Sequence, residues 1–279
     1  MTIGGATRVA AVIGSPVRHS LSPAIHNAGY EALGIDWAYV AFEVAPGRAA
    51  DALTAMRVLA LAGLSVTMPH KHDVAAAVDE IAPAARVLDA VNCVERTADG
   101  RLVGHNTDGD GFVDSLLAAG ADGPAGRRCV VLGAGGAARA VIDALARHGA
   151  TEVVVVNRSP GRGAEAALLA GPVGRVGTPV DVSRADLVVN ATSVGMGSTE
   201  LPLDAALLRA GQVVADLVYH PLDTALLGVA RAAGATPVDG LGMLVHQAAH
   251  QIRIWTGLDA PVAVMRAAAE AELARRLPR

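Results

Sequence analysis

The chain has almost no lysine. Of the 23 lysine and arginine residues among its 279 positions, only Lys71 is a lysine, so arginine carries the positive charge everywhere else. Aromatic residues make up 3% of the sequence, which leaves few platforms for stacking on bases. A net charge of −4 supplies no global basic field. These two shortages point away from nucleic acid as a partner. Although 52% of the residues are apolar, no uninterrupted apolar run reaches the roughly 20 residues a membrane span requires. The opening Met-Thr-Ile-Gly-Gly-Ala-Thr-Arg has no signal-peptide pattern. There are two cysteines, Cys93 and Cys129, far apart in sequence. They read as reduced thiols and not as a disulfide. The expectation is a cytoplasmic globular protein with no membrane association, long enough for two domains.

The isolated lysine raises a chemical question. Arginine is a planar fork that stays protonated, whereas lysine is a compact ammonium able to give up its proton when its surroundings favour that. Lys71 lies in Gly63-Leu-Ser-Val-Thr-Met-Pro-His-Lys-His-Asp73. There Leu64 to Thr67 read as a strand that Pro69 stops, so the amine falls just past the carboxyl end of a parallel strand. Open α/β sheets bind ligands at that edge.

Short apolar runs alternate with amphipathic stretches along the chain, the pattern of an α/β protein. Val9 to Ile13 and Trp37 to Val44 read as strands. Ser22-Pro23 opens a helix running toward Leu33-Gly34, with serine as N-cap and proline at the first helical position. An Ala/Leu helix follows the second strand, and Gly63 closes it. Two short strands around Ala98-Asp99-Gly100 form a hairpin. An apolar helix then follows Asn106-Thr-Asp108-Gly. Beyond the Gly/Pro-rich segment 120–126, strands are expected near 129–132, 153–156, 174–176, 187–190 and 213–217, and two helices, roughly 241–256 and 261–276, finish the chain.

Cys129-Val-Val-Leu-Gly-Ala-Gly-Gly-Ala-Ala138 is a strand running into glycines, with a helix expected over Arg139 to Arg147. Its Gly133-x-Gly135-x-x-Ala138 spacing fits a dinucleotide site. The first glycine permits the turn and the second admits the pyrophosphate. The third position needs only a small residue, and the helix start offers free N–H groups. The next strand ends in Asn157-Arg158-Ser159, with Arg162 beyond it. An NAD site wants a carboxylate at that tip, but here two guanidiniums are offered, suited to a 2′-phosphate. The cofactor indicated is NADP.

Upstream, Ser20 and Ser22 sit where a loop becomes a helix, a natural cradle for a carboxylate, although taken alone the segment favours ordinary capping by Ser22. Taken with His19-Ser-Leu-Ser-Pro23, Val66-Thr-Met-Pro-His-Lys71, Ala90-Val-Asn92, Asn106-Thr-Asp108-Gly, Gly133-Ala-Gly-Gly-Ala137, Asn157-Arg158, Asn190-Ala-Thr-Ser-Val-Gly-Met196, Asp216-Leu-Val-Tyr219-His-Pro and Asp239-Gly-Leu-Gly-Met-Leu-Val-His-Gln247, nearly the whole chain resembles the shikimate dehydrogenase family. The resemblance implies NADPH-dependent, reversible reduction of 3-dehydroshikimate to shikimate in aromatic amino-acid biosynthesis, by a monomer or homodimer. It implies that Lys71 and Asp108 are the catalytic pair, with Asp108 also on a substrate hydroxyl. Ser20, Ser22, Thr67, Asn92, Tyr219 and Gln247 would hold the substrate. Gly133, Ala134, Gly135, Gly136, Ala137, Asn157, Arg158, Ser159 and Arg162 would hold the cofactor, and Leu217 and Gly240 would lie near its nicotinamide end. One departure stands out: the family commonly has asparagine where this chain has Ser65.

The implied architecture is an N-terminal α/β substrate domain, 1–107, completed by the C-terminal helices 241–279. A Rossmann-type NADP domain, 108–240, is inserted between, with the active site in the interdomain cleft. Other readings are weaker. His70 and His72 share a face of a strand-like segment without a third ligand, and His246-Gln-Ala-Ala-His250 has glutamine where a zinc protease needs glutamate, so no metal is expected. A non-catalytic NADP-binding sensor would not need Lys71, Asp108 and the polar loop. A quinate/shikimate or aminoshikimate dehydrogenase stays open as the alternative.

Overall fold

The computed structural model describes residues 3–276 and divides into two compact units, residues 1–107 with 247–279 and residues 108–246. In chain order the first unit holds β1 (Arg8–Gly14), α1 (Ser22–Ala32), β2 (Trp37–Glu43), α2 (Ala49–Val58), β3 (Gly63–Val66), α3 (Lys71–Ala75), β4 (Glu80–Ile81), α4 (Pro83–Leu88), β5 (Cys93–Arg96) and β6 (Leu102–His105). The second holds α5 (Asp108–Ala118), β7 (Arg128–Leu132), α6 (Gly136–Arg147), β8 (Glu152–Val156), α7 (Pro160–Ala167), β9 (Gly174–Val176), β10 (Leu187–Asn190), β11 (Val213–Asp216), α8 (Ala225–Ala232) and β12 (Thr236–Val238). Helix α9 (Gly240–Thr256) begins in the second unit and ends in the first, and α10 (Val262–Arg276) belongs to the first. The return boundary expected at 240/241 thus falls inside α9, after His246.

The second unit is a six-stranded sheet, all parallel, in the order β12-β11-β10-β7-β8-β9. Read from its other edge, this is third-second-first-fourth-fifth-sixth, the doubly wound order whose reversal point lies between its first and fourth strands. Those strands are β7 and β10. Both are buried along almost their whole length, which is why they are written as valine and leucine runs without alternation.

The first unit carries a mixed six-stranded sheet, β2-β1-β3-β5-β6-β4. β1 is parallel to β2 and β3, whereas β5 is antiparallel to β3 and β6. The expected hairpin around Ala98-Asp99-Gly100 is present, closed by the Thr97 N–H on the Arg101 carbonyl at 2.9 Å. Four local expectations are corrected. Leu21, not Ser22, is the cap residue of α1; Ser22 is already helical, and the Ser20 hydroxyl accepts the Ser22 N–H at 3.2 Å. Helix α2 ends at Val58, five residues before Gly63, which instead opens β3. A Cβ at Gly63 would lie 2.3 Å from the Trp255 ring, so this glycine makes room for the indole of α9. Helix α6 starts at Gly136 and not at Arg139, because the small residues of the turn themselves form its first turn. Around Lys71 the chain is a turn and a short helix, not strand-like, so His70 and His72 do not share a strand face.

His26 of α1 is completely buried, with its ring stacked on Tyr39 at a centroid distance of 4.0 Å. Its Nδ1 lies 2.9 Å from the Ser22 carbonyl, which can only accept, so the neutral ring carries its proton there. Burial lowers its pKa from 6.5 to about 4, against the hydrogen bond to Ser22. Between these values the unfolded chain binds the extra proton, so stability is full above pH 6.5 and is lost as pH falls toward about 4. Denaturant titrations should show a loss of about 3 kcal/mol over that window. The loss should be absent from His26→Gln, and an equally steep loss in that variant would assign it to other groups.

Candidate active site

In the first unit the expected substrate residues cluster at the carboxyl ends of β1 and β3 and around the hairpin. The Thr67 N–H donates to the Ile13 carbonyl at 3.0 Å and extends the pairing of β3 with β1 by one residue. Four residues on, Lys71 opens α3 and is half-buried. Its backbone is pinned from two sides. The Lys71 carbonyl accepts the Val91 N–H at 2.9 Å. The preceding residue, His70, is fully buried, with Nε2 2.8 Å from the Val44 carbonyl. His70 is thus an anchor for the lysine turn, while His72 pairs with Asp89 at 2.9 Å. Among the described residues, no group of three His, Cys, Asp or Glu side chains stands close enough to hold a metal ion.

Asn92 is held by Thr107 in a reciprocal pair. The Thr107 N–H donates to Asn92 Oδ1 at 2.8 Å and Asn92 Nδ2 donates to Thr107 Oγ1 at 3.0 Å. A backbone N–H can only donate, so the amide orientation is fixed. Thr107 Oγ1 also donates to the Gln247 carbonyl at 3.1 Å, tying Asn92 to Gln247 through one hydroxyl. Gln247 in turn accepts at Oε1 from Gln251 one turn along α9, at 2.7 Å. Ser20 and Ser22 adjoin at the head of α1, Ser20 half-buried and Ser22 buried.

Asp108 and Tyr219, also expected on the substrate, belong to the second unit. Asp108 is buried as the first residue of α5, and Tyr219 is half-buried in the loop after β11.

The cofactor residues of that unit gather at the carboxyl edge of β7, β8 and β11. Gly133 has φ +109, a region closed to most side chains, and its N–H donates to the Val156 carbonyl at 2.9 Å. That bond sets the glycine turn beside the β8 tip. A Cβ at Gly133 would come within 3.0 Å of the Ala191 carbonyl oxygen, at the end of β10. A Cβ at Gly135 or Gly136 would meet nothing within 4 Å, so the start of α6 faces open space that a pyrophosphate can enter. Ala134 is buried, Ala137 exposed, and Ala138 fully buried against the core, as a close helix–strand approach requires. At the β8 tip, Asn157 Nδ2 donates to the Ser159 carbonyl at 2.8 Å, Ser159 is the cap residue of α7, and Arg162 lies in its first turn. Arg158 and Arg162 are both exposed, and neither side chain pairs with another described residue. Two unengaged guanidiniums and an open glycine turn fit a phosphorylated dinucleotide.

Gly240 opens α9 against β11; a Cβ there would lie 2.5 Å from the Leu217 carbonyl. Next to them the buried Asp216 accepts from Asn190 Nδ2 at 2.9 Å and from Thr224 Oγ1 at 2.7 Å. Burial raises its pKa, and these bonds oppose the rise. The sequence reading quoted Asn190, Asp216 and Thr107 within its motifs without giving them a role, and it missed Thr224, Tyr39 and Gln251. The one local signal for them was the i, i+4 spacing of Gln247 and Gln251, which puts both on one helix face.

Three family models match the chain. Residues 12–94 match the shikimate dehydrogenase substrate binding domain, 117–199 match shikimate / quinate 5-dehydrogenase, and 240–270 match the shikimate 5′-dehydrogenase C-terminal domain. The NADP(+) shikimate dehydrogenase of Geobacter metallireducens is 45% identical over 99% of this chain and all of its own length. Among solved structures, a shikimate dehydrogenase in complex with NADP+ superposes with a TM-score of 0.92 at 35% identity, covering 98% of each chain. The Thermus thermophilus shikimate 5-dehydrogenase in complex with NADP(H) and shikimate gives 0.89 at 39% identity, over 95% of this chain and all of that one. With its substrate-binding unit, its Rossmann-type parallel sheet and relatives matched end to end, the chain belongs to the NADP-dependent shikimate dehydrogenase family of oxidoreductases.

Proposed function

We propose that the chain carries out the reversible reduction of 3-dehydroshikimate to shikimate, in the cytoplasm, as a monomer or homodimer, with Lys71 as general acid/base and Asp108 as its partner. The observation that supports this most is the placement of Lys71, the chain's single lysine. It stands one turn past the carboxyl end of β3, at the start of α3, where the buried His70 and the Val91 N–H hold the backbone still. Bound NADPH would supply the hydride. The Lys71 ammonium then protonates the carbonyl oxygen on which negative charge develops, and in the oxidative direction the amine removes that proton. Arginine could stabilise such an oxygen but could not give up a proton to it. The Asp108 carboxylate accepts from a substrate hydroxyl and orients the ammonium.

The hydroxyls of Ser20 and Ser22, at the head of α1, donate to the substrate carboxylate. Thr67, Asn92, Tyr219 and Gln247 complete the hold on its carboxylate and hydroxyls. The backbone of Gly133 to Ala137 holds the pyrophosphate, and Asn157, Arg158, Ser159 and Arg162 take the adenosine end and its 2′-phosphate. Leu217 and Gly240 border the nicotinamide. Cys93 and Cys129 are both free and buried, which supports a reducing compartment.

A substrate panel tests the reading: shikimate, quinate and aminoshikimate, each with NADP+ and with NAD+, followed by the near-ultraviolet absorbance of the reduced cofactor. Shikimate with NADP+ should give the highest kcat/KM. Preference for quinate or aminoshikimate would reassign the substrate. Absence of turnover with every pair would leave a cofactor-binding protein without this activity.

A further inference from the structure

Ser65, the departure from the family's usual asparagine, is one link of a buried chain of side chains in the first unit. The Tyr39 hydroxyl donates to Ser65 Oγ at 2.5 Å, Ser65 Oγ donates to Gln251 Oε1 at 2.5 Å, and Gln251 Nε2 donates to Gln247 Oε1 at 2.7 Å. Tyr39, Ser65 and Gln251 are 2%, 5% and 1% exposed, so water does not complete these bonds and each link depends on the next. The direction of the chain is set at one atom. Gln251 Nε2 also reaches the Asn92 carbonyl at 3.4 Å, and a carbonyl only accepts. The Gln251 amide therefore turns its oxygen to Ser65 and its nitrogen to Gln247. Ser65 must donate to it, and the Tyr39 phenol must donate to Ser65.

The starting phenol is locked. Asn27 brackets the Tyr39 backbone, donating to its carbonyl at 2.9 Å and accepting its N–H at 2.8 Å, which satisfies the open edge of β2. His26 stacks on the ring. An apolar trio of similar volume would fill this space without any desolvation cost. A polar trio adds orientation.

We propose that Tyr39, Ser65 and Gln251 are positioning residues. Their one-way relay fixes the Gln247 side chain with its carbonyl inward, so that Gln247 acts as a hydrogen-bond donor and demands an acceptor oxygen on the substrate. The proposal rests on the reading of Gln247 as a substrate residue. It gives Ser65 a role that its short side chain fits: one hydroxyl can accept from Tyr39 and donate to Gln251 at once.

A double-mutant cycle on the full-length protein tests it, with steady-state KM for shikimate and for NADP+ measured for Ser65→Ala, Gln251→Leu, Gln247→Ala and the Ser65→Ala/Gln247→Ala double variant. Ser65→Ala and Gln251→Leu should each raise the shikimate KM about tenfold. The KM for NADP+ should not move, and kcat should change far less than the shikimate KM. In the Gln247→Ala background, Ser65→Ala should add nothing. Ser65→Thr, which keeps the hydroxyl, should restore most of the affinity. A variant that is partly unfolded loses apparent kcat and not KM, so lost stability does not imitate the expected pattern. Equal fold-changes in both backgrounds would overturn the relay. A Gln247→Ala variant with an unchanged shikimate KM would overturn it too, and would remove Gln247 from the substrate site, while shikimate turnover by the parent protein left the activity standing.

Discussion

Lys71→Arg should keep its affinity for NADPH while kcat falls by about 10²–10⁴-fold, the range that positioned proton transfer supplies. The charge survives the substitution, so any contribution from attraction to a developing oxyanion is largely retained. What disappears is a proton that the side chain can hand over to a substrate oxygen. The anchors of the turn are the His70 ring on Val44 and the Val91 N–H on the residue-71 carbonyl. Neither involves the substituted side chain, so the backbone has no reason to move. Cofactor titration by fluorescence and single-turnover kinetics separate the two effects. Turnover within a fewfold of the parent would remove the proton-transfer role, and parallel loss of NADPH binding would point to a misfolded turn.

The second large effect is expected at the tip of β8. Arg158 and Arg162 are exposed, and neither is engaged by another described residue, so replacing both with alanine removes no pairing within the chain. Folding stability should therefore stay close to that of the parent. A charge-assisted hydrogen bond contributes about 1.5–3 kcal/mol. On that basis the KM for NADPH should rise about 10–100-fold while the KM for NADH barely moves. Equal changes for both cofactors would transfer the arginines from the 2′-phosphate to some feature the two cofactors share. Higher ionic strength should narrow the preference in the parent and leave the double variant almost insensitive, because screening acts on the charges that the variant lacks.

What could be read in advance follows from how local each signal is. β7, β8 and β10 of the second unit are buried along most of their length and consist mainly of valine and leucine, so their positions were legible to within about a residue. β4 and β12 were not. Glu80–Ile81 is too short to carry a pattern. Thr236–Val238 has a proline in its middle, which is tolerated because β12 is an edge strand. The cap of α1 was misplaced by one residue because two serines flank Leu21, and the hydroxyl that accepts a backbone N–H there is the earlier one. The glycine turn and the arginine pair were visible since each lies within one short segment. The relay was not, since Tyr39, Ser65 and Gln251 come from β2, β3 and α9 and meet only when the sheet and helix are both in place.

That α9 and α10 close the first unit from the far end of the chain has a consequence for biosynthesis. The second unit is contiguous in sequence and can assemble from neighbouring strand–helix crossovers as it leaves the ribosome. The first cannot: the slot over Gly63 is made for Trp255, and Gly29 of α1 is made to lie against Ile252 and Met265. Until those late residues emerge, the nascent N-terminal sheet exposes an apolar groove, and the long loop closure that fills it slows its maturation. A message cut short within α9, just after His246, would thus release a complete nucleotide-binding unit tethered to a half-built partner, which is the species chaperones would hold and proteases would clear.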